Sequence, residues 1–171
     1  NLPLEQMKAL ATKHFSPIKN KNVEKYRVTE TIPTEKRGGK RIHYIPNEDV
    51  KQVILDFTVT NNSDQYLVKP NRVVSYLLGS EMVGTPAYIL KQKSLISSLN
   101  ASASPNMYGN YGMFSVSINL TDKGMKQRDE VVKTVMQYIE LIKQQGVDKQ
   151  YFTEIKTVLN NQFKFLEKGG S

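Results

Sequence analysis

Residues 95–120 read LISSLNASASPNMYGNYGMFSVSINL, and the contrast between the two halves of that string decides the fold. The second half alternates: Phe114, Val116, Ile118 and Leu120 fall on one side of an extended chain, and Met113, Ser115, Ser117 and Asn119 on the other. That period of two marks a strand with one covered face. The first half, Ser97 to Ala103, is Ser, Asn and Ala around a single Leu99. Small polar residues fill a core poorly, so this strand is expected at a sheet edge, where its backbone can hold an extended peptide by strand addition. Pro105 to Gly112 supplies the turn formers between the halves. The whole unit, Tyr76 to Gly124, reads helix, Gly-containing turn, short helix, strand, loop, strand, helix cap.

Upstream, Pro70 can open a helix carrying Val73, Val74, Leu77 and Leu78, with Gly79 to close it. Thr85-Pro86 marks a second helix start, with Thr85 as the cap. Two strands are expected before these helices. One is Arg41 to Ile45, ending at Pro46; the other is Lys51 to Thr60, with Val53, Leu55, Phe57 and Val59 on one face. Earlier still, Leu4 to Phe15 has a helical period and Ser16-Pro17 stops it. Residues 18–33 read as an extended linker.

Downstream, Thr121 is placed to cap a long helix with Val131, Val132, Val135, Tyr138, Ile139 and Ile142 as its apolar stripe. Gly146 closes it, and Asp148 caps a final helix. Runs of strands alternating with runs of helices predict an α+β fold, a mostly antiparallel sheet backed by helices on one face. The expected divisions are 1–17, a helix belonging to a preceding unit; 18–33, the linker; and 34–171, one α+β unit.

The 171 residues are 39% hydrophobic and 23% charged, enough apolar content for one real core. No apolar run approaches the roughly 18 residues that span a bilayer, so no membrane partner is expected. No signal peptide precedes the first helix, so the chain is expected to begin inside a larger protein. With no cysteine, thiol catalysis and thiolate metal sites are excluded. The net charge of +8 raises nucleic acid, anionic lipid and acidic substrates as partners. The densest basic cluster is Lys36 to Arg41, at a Gly-Gly turn. It lacks interleaved aromatics that would stack bases, so a stand-alone nucleic-acid module is the second reading rather than the first.

The chemistry of hydrolysis is missing from the residues. The two histidines, His14 and His43, have no partner at ligand spacing, and no H-E-x-x-H or H-x-x-E-H occurs. The serines at 94, 97, 98, 102 and 104 have no adjacent histidine and no nucleophile elbow. No catalytic or metal-binding residue is therefore expected.

Several blocks in one collinear order carry a resemblance. They are ATKHFSPIKNKNV at 11–23, Tyr76-Leu77-Leu78-Gly79 with Gly84-Thr85, and YGNYG at 108–112. SINLTDKG at 117–124, RDEVV at 128–132 and GVDKQYF at 146–152 complete the set. Together the chain resembles the insulinase/pitrilysin-type zinc metallopeptidases, the inverted zincins, and is most similar to their bacterial members. The resemblance implies four related α+β repeats around a closed chamber. Zinc and the catalytic base belong to the first repeat. This chain is similar to the end of the first repeat followed by the second, which binds no zinc. It also implies a periplasmic enzyme acting on peptide substrates, with the other repeats of the same chain as partners. The substrate's N-terminal end would lie on an exosite strand, here Leu99, Asn100, Ala101 and Ser102 with Gly79 and Gly84 nearby. Asn100→Pro is expected to remove one of its ladder donors. Three places depart from the pattern, one being Met82-Val83, where relatives often have a Gly- or Pro-containing turn. Relatives often have Gly where Ser94 stands, and some have Val-Gly-Gly where this chain has Asn100-Ala101-Ser102.

Overall fold

The computed structural model describes residues 2–26, 28, 30 and 38–166. Lys36, Arg37, Ile32 and the expected boundary at 33–34 lie outside them. In chain order the elements are α1 (Leu4–Phe15), β1 (Gln52–Thr60), α2 (Pro70–Gly79), α3 (Pro86–Gln92), β2 (Ile96–Met107), β3 (Tyr111–Leu120), α4 (Asp122–Lys126), α5 (Arg128–Gln145) and α6 (Lys149–Lys164).

The three strands form one antiparallel sheet in the order β1-β3-β2. Phe114, Val116, Ile118 and Leu120 of β3 are buried on one face, and Val53, Leu55, Phe57 and Val59 of β1 pack beside them. Leu78, Ala87, Leu90, Val131 and Val135 from α2, α3 and α5 close the core over that face. The other face carries Gln52, Asp56, Ser115, Ser117, Asn119 and Ser98, linked by side-chain hydrogen bonds. The alternation in the sequence thus becomes two chemically distinct faces, as in a half-covered antiparallel sheet.

The caps explain where the elements start. Thr85 is 2% exposed; its hydroxyl accepts from the Tyr88 amide and donates to the Ser80 and Met82 carbonyls. Asp148 accepts from the Gln150 amide at the start of α6. At the end of α3 the Ser94 amide bonds to the Lys91 carbonyl and the Leu95 amide to the Leu90 carbonyl. This is a Schellman closure, and it puts Ser94 at φ +55 in the left-handed region that favours glycine. The closure turns the chain from α3 directly into β2.

Three expectations are corrected. Arg41 to Ile45 forms no strand: Ile42 and Ile45 are 85% and 96% exposed, and the segment pairs with no strand among the described residues. A β propensity without a ladder partner does not make a strand. The helix capped by Thr121 is not continuous. It ends after Lys126, and α5 begins at Arg128 beyond Gln127, whose φ of −113° and ψ of 31° break the helical path. Gly124 lies so close to the residue that leads into β2 that a Cβ there would stand 1.8 Å from the Leu95 carbonyl oxygen, so α4 is pinned beside the start of β2 while α5 turns away. Finally, Gly79 is the last residue of α2 but not a left-handed cap, since it is absent from the positive-φ glycines. Its reason is the close approach described next.

Candidate peptide-binding edge

Among the described residues β2 pairs on one side only, with β3. Which of its backbone groups remain free follows from one hydrogen bond. The Leu120 amide donates to the Lys51 carbonyl at 2.7 Å, so even-numbered residues of β3 aim their N–H and C=O at β1. Odd-numbered residues of β3 therefore aim at β2, and their register partners there are Ser98, Asn100 and Ser102. The N–H and C=O groups of Leu99, Ala101 and Ala103 point the other way, out of the sheet. Among the described residues no loop, helix or side chain hydrogen-bonds to them.

The C-terminal end of α2 runs beside this free edge. A Cβ on Gly79 would lie 3.6 Å from the Ala101 amide nitrogen and 4.0 Å from the Leu99 carbonyl oxygen. Any larger side chain would stand in front of both groups. Glycine leaves the edge open beside the helix.

Beyond Gly79 the edge opens into a groove of about 460 Å³. Ala101, Ala103 and Pro105 of β2 form one wall, and Tyr66, Pro70 and Ser75 the other. The groove exists because of the small residues. Across β3, Val116 pairs with Ala101 and Phe114 with Ala103, so β2 offers methyl groups where β1 offers Leu55 and Phe57. Pro105 sits where the β2–β3 register slips, as proline in an edge strand must.

The six expected site residues separate in space. Ala101 and Ser102 line the groove, and Gly79 borders the edge. Leu99 is 4% exposed: its side chain is core and only its backbone faces outward. Asn100 is exposed and its N–H aims at β3, so Asn100→Pro would damage the sheet ladder rather than the free edge. Gly84, at φ +91 with open space where a Cβ would stand, serves the turn before α3. Ala103, Pro105, Tyr66 and Arg72 were not singled out from the sequence. The parity of Leu99 and Ala101 extended by two residues would have found Ala103; nothing local marks the others.

Among the described residues no three His, Asp or Glu side chains gather into a group that could hold a metal ion, so the residues present do not fit zinc. Of the basic cluster, Arg41 is engaged by Asp129 at 2.9 Å. No described helix is long and apolar enough to cross a membrane.

Comparison with known proteins agrees with this architecture. The family description "Peptidase M16 inactive domain" matches residues 1–159. Protease 3 of Salmonella typhimurium is 35% identical over 165 residues, covering 96% of this chain and 17% of that protein. Protease 3 of Escherichia coli K12 is 33% identical over the same span. The A-factor-processing enzyme of Saccharomyces cerevisiae is 31% identical over 155 residues, 91% of this chain and 15% of that one. The crystal structure of pitrilysin superposes with a TM-score of 0.90 at 32% identity, over 100% of this chain and 18% of that chain. The chain thus spans under a fifth of the length of the relatives it matches.

Proposed function

Because the chain belongs to the peptidase M16 inactive-domain family, we propose that it is a non-catalytic repeat of a zinc metalloendopeptidase that degrades peptides and small proteins. In this reading it forms chamber wall and anchors one end of an extended substrate on the free edge of β2. Zinc and the general base are carried by another repeat of the same polypeptide, and the whole enzyme works in the bacterial periplasm. The observation that supports the reading is the row of Leu99, Ala101 and Ala103 backbone groups beside Gly79, which have no partner among the described residues. Main-chain pairing gives affinity without demanding a sequence, which suits an enzyme of broad peptide specificity. Anchoring at a distance from the scissile bond uses remote binding energy for orientation.

The test uses the full-length enzyme. Ala101→Pro removes an outward N–H at a position where an edge strand accepts proline. It is expected to raise KM for long peptides by about tenfold, the loss of roughly one or two net hydrogen bonds. Peptides too short to reach the edge should be cleaved as before. Equal effects on both lengths would refute the anchoring role. The 171-residue chain alone is expected to hydrolyse no peptide, with or without added zinc; robust, chelator-sensitive cleavage by it would overturn the non-catalytic assignment.

A further inference from the structure

The groove beside the β2 edge is not electrically neutral. Two of its lining residues are cations, Lys69 and Arg72, and no acidic residue lines it. Neither cation takes part in an ion pair among the described residues, although Arg41, Lys51, Lys91, Lys93 and Lys143 all do. Asp64 lies on the preceding turn but is not part of the lining. The rest of the lining is uncharged: alanine methyls, two proline rings, the Tyr66 ring, 67% exposed at the rim, and Asn, Ser and Gln side chains. A neutral apolar segment would leave the two exposed positive charges without a partner. A segment with a carboxylate would complement them.

We propose that the groove selects an extended peptide bearing an acidic side chain, whose backbone pairs with Ala101 and Ala103 while Lys69 and Arg72 receive its Asp or Glu carboxylate. The proposal rests on the reading of β2 as a peptide-holding edge and adds the chemical class it prefers. Arg72 offers the planar fork that matches a carboxylate, and Lys69 a mobile point charge. Both residues are exposed, so each pairing is worth little alone and is weakened by salt. The specificity is therefore graded. It biases which stretch of a substrate is captured, and it does not restrict binding to one sequence.

The experiment measures binding of the 171-residue chain to short, end-capped, fluorescently labelled peptides of Thr, Val and Ser. Each carries a single Glu, Gln or Lys, moved through the sequence. The best-placed Glu peptide is expected to bind about fivefold tighter than its Gln counterpart at low salt, with Lys weakest. In the K69Q/R72Q variant the Glu-to-Gln ratio should fall to about one, and in wild type it should shrink as salt is raised. Equal binding of Glu and Gln peptides at every position, or a Glu preference that survives K69Q/R72Q, overturns the acidic selection. If in that case Ala101→Pro still weakens all three peptides alike, the strand-addition reading stands by itself. Failure of wild type to bind any of the peptides overturns both.

Discussion

Val116 of β3 has Leu55 on one side and Ala101 on the other; Phe114 has Phe57 and Ala103. β1 and β2 are both outer strands of one sheet and share the same central partner, yet they use their inward positions differently. β1 gives Val53, Leu55, Phe57 and Val59 to the core. β2 gives Leu99 to the core and then retreats to alanine, and the volume it leaves unfilled is the groove against α2. One outer strand is built for packing and the other leaves space. In the proposed function that space is where a ligand's backbone comes in.

The strongest way to break this comparison is to exchange the two roles. Leu55→Ala is expected to destabilise the fold by about 2–3 kcal/mol, because it removes core volume from a partly buried position. Ala101→Leu is expected to change stability by less than about 1 kcal/mol, since its side chain has the groove to enter, while abolishing peptide binding. Chemical denaturation of both variants checks the pair; similar losses of stability would mean that the strands are not distinguished in this way. Gly79→Val sharpens the point from the helix side. The added Cβ makes only ordinary contacts with Ala101 and Leu99, so the fold should survive within about 1 kcal/mol of a helix-propensity change, with peptide affinity lost.

Smaller effects come from how each strand is launched. β2 leaves α3 through Ser94 at φ +55. Ser94→Gly should raise stability by about 0.5–1 kcal/mol by relieving a left-handed non-glycine, measurable as a shift in the denaturation midpoint. β1 is launched beside Lys51, which pairs with Asp49 at 2.7 Å and Asp122 at 3.2 Å. The hydrogen bond from Lys51 holds the Asp49 carboxyl below its ordinary range, and Asp49 and then Asp122 push the Lys51 ammonium above its own. The Asp49 contribution is present above the carboxyl's unfolded pKa of about 4 and is lost as pH falls through the lowered folded value. The Lys51 contribution is present below the ammonium's unfolded pKa and is lost only as pH rises through the raised one. Thermal melts of Lys51→Gln and wild type should therefore differ slightly at neutral pH and converge in strong acid or high salt.

The α+β class, the helices on one face, the caps at Thr85 and Asp148 and the one-sided alternation of β1 and β3 were all legible in the sequence. They depend on side-chain periodicity and local hydrogen bonds, which neighbouring residues encode. The small, polar composition of Ser97 to Ala103 was legible for the same reason, and among the described residues that strand lies at an end of the sheet. The direction of its free groups was not legible. Side chains alternate between faces, but amides alternate within the sheet plane, and it takes cross-strand bonds such as Leu120–Lys51 and Thr121–Leu95 to fix which set points outward. The groove's far wall, from Tyr66 to Ser75, comes from residues some thirty positions earlier and has no motif of its own. Ser94 was visible as a departure from the relatives' pattern; the Schellman closure gives that departure its physical meaning.

Residue-resolved amide hydrogen exchange, with and without a bound acidic peptide, tests the central claim most directly. In the free chain the amides of Leu99, Ala101 and Ala103 should exchange quickly, while those of Asn100 and Ser102, held by β3, exchange slowly. Peptide should then slow Ala101 and Ala103 and leave Asn100 and Ser102 as they were. Protection of Leu99, Ala101 and Ala103 already in the free chain, or no added protection at saturating peptide, would contradict the account.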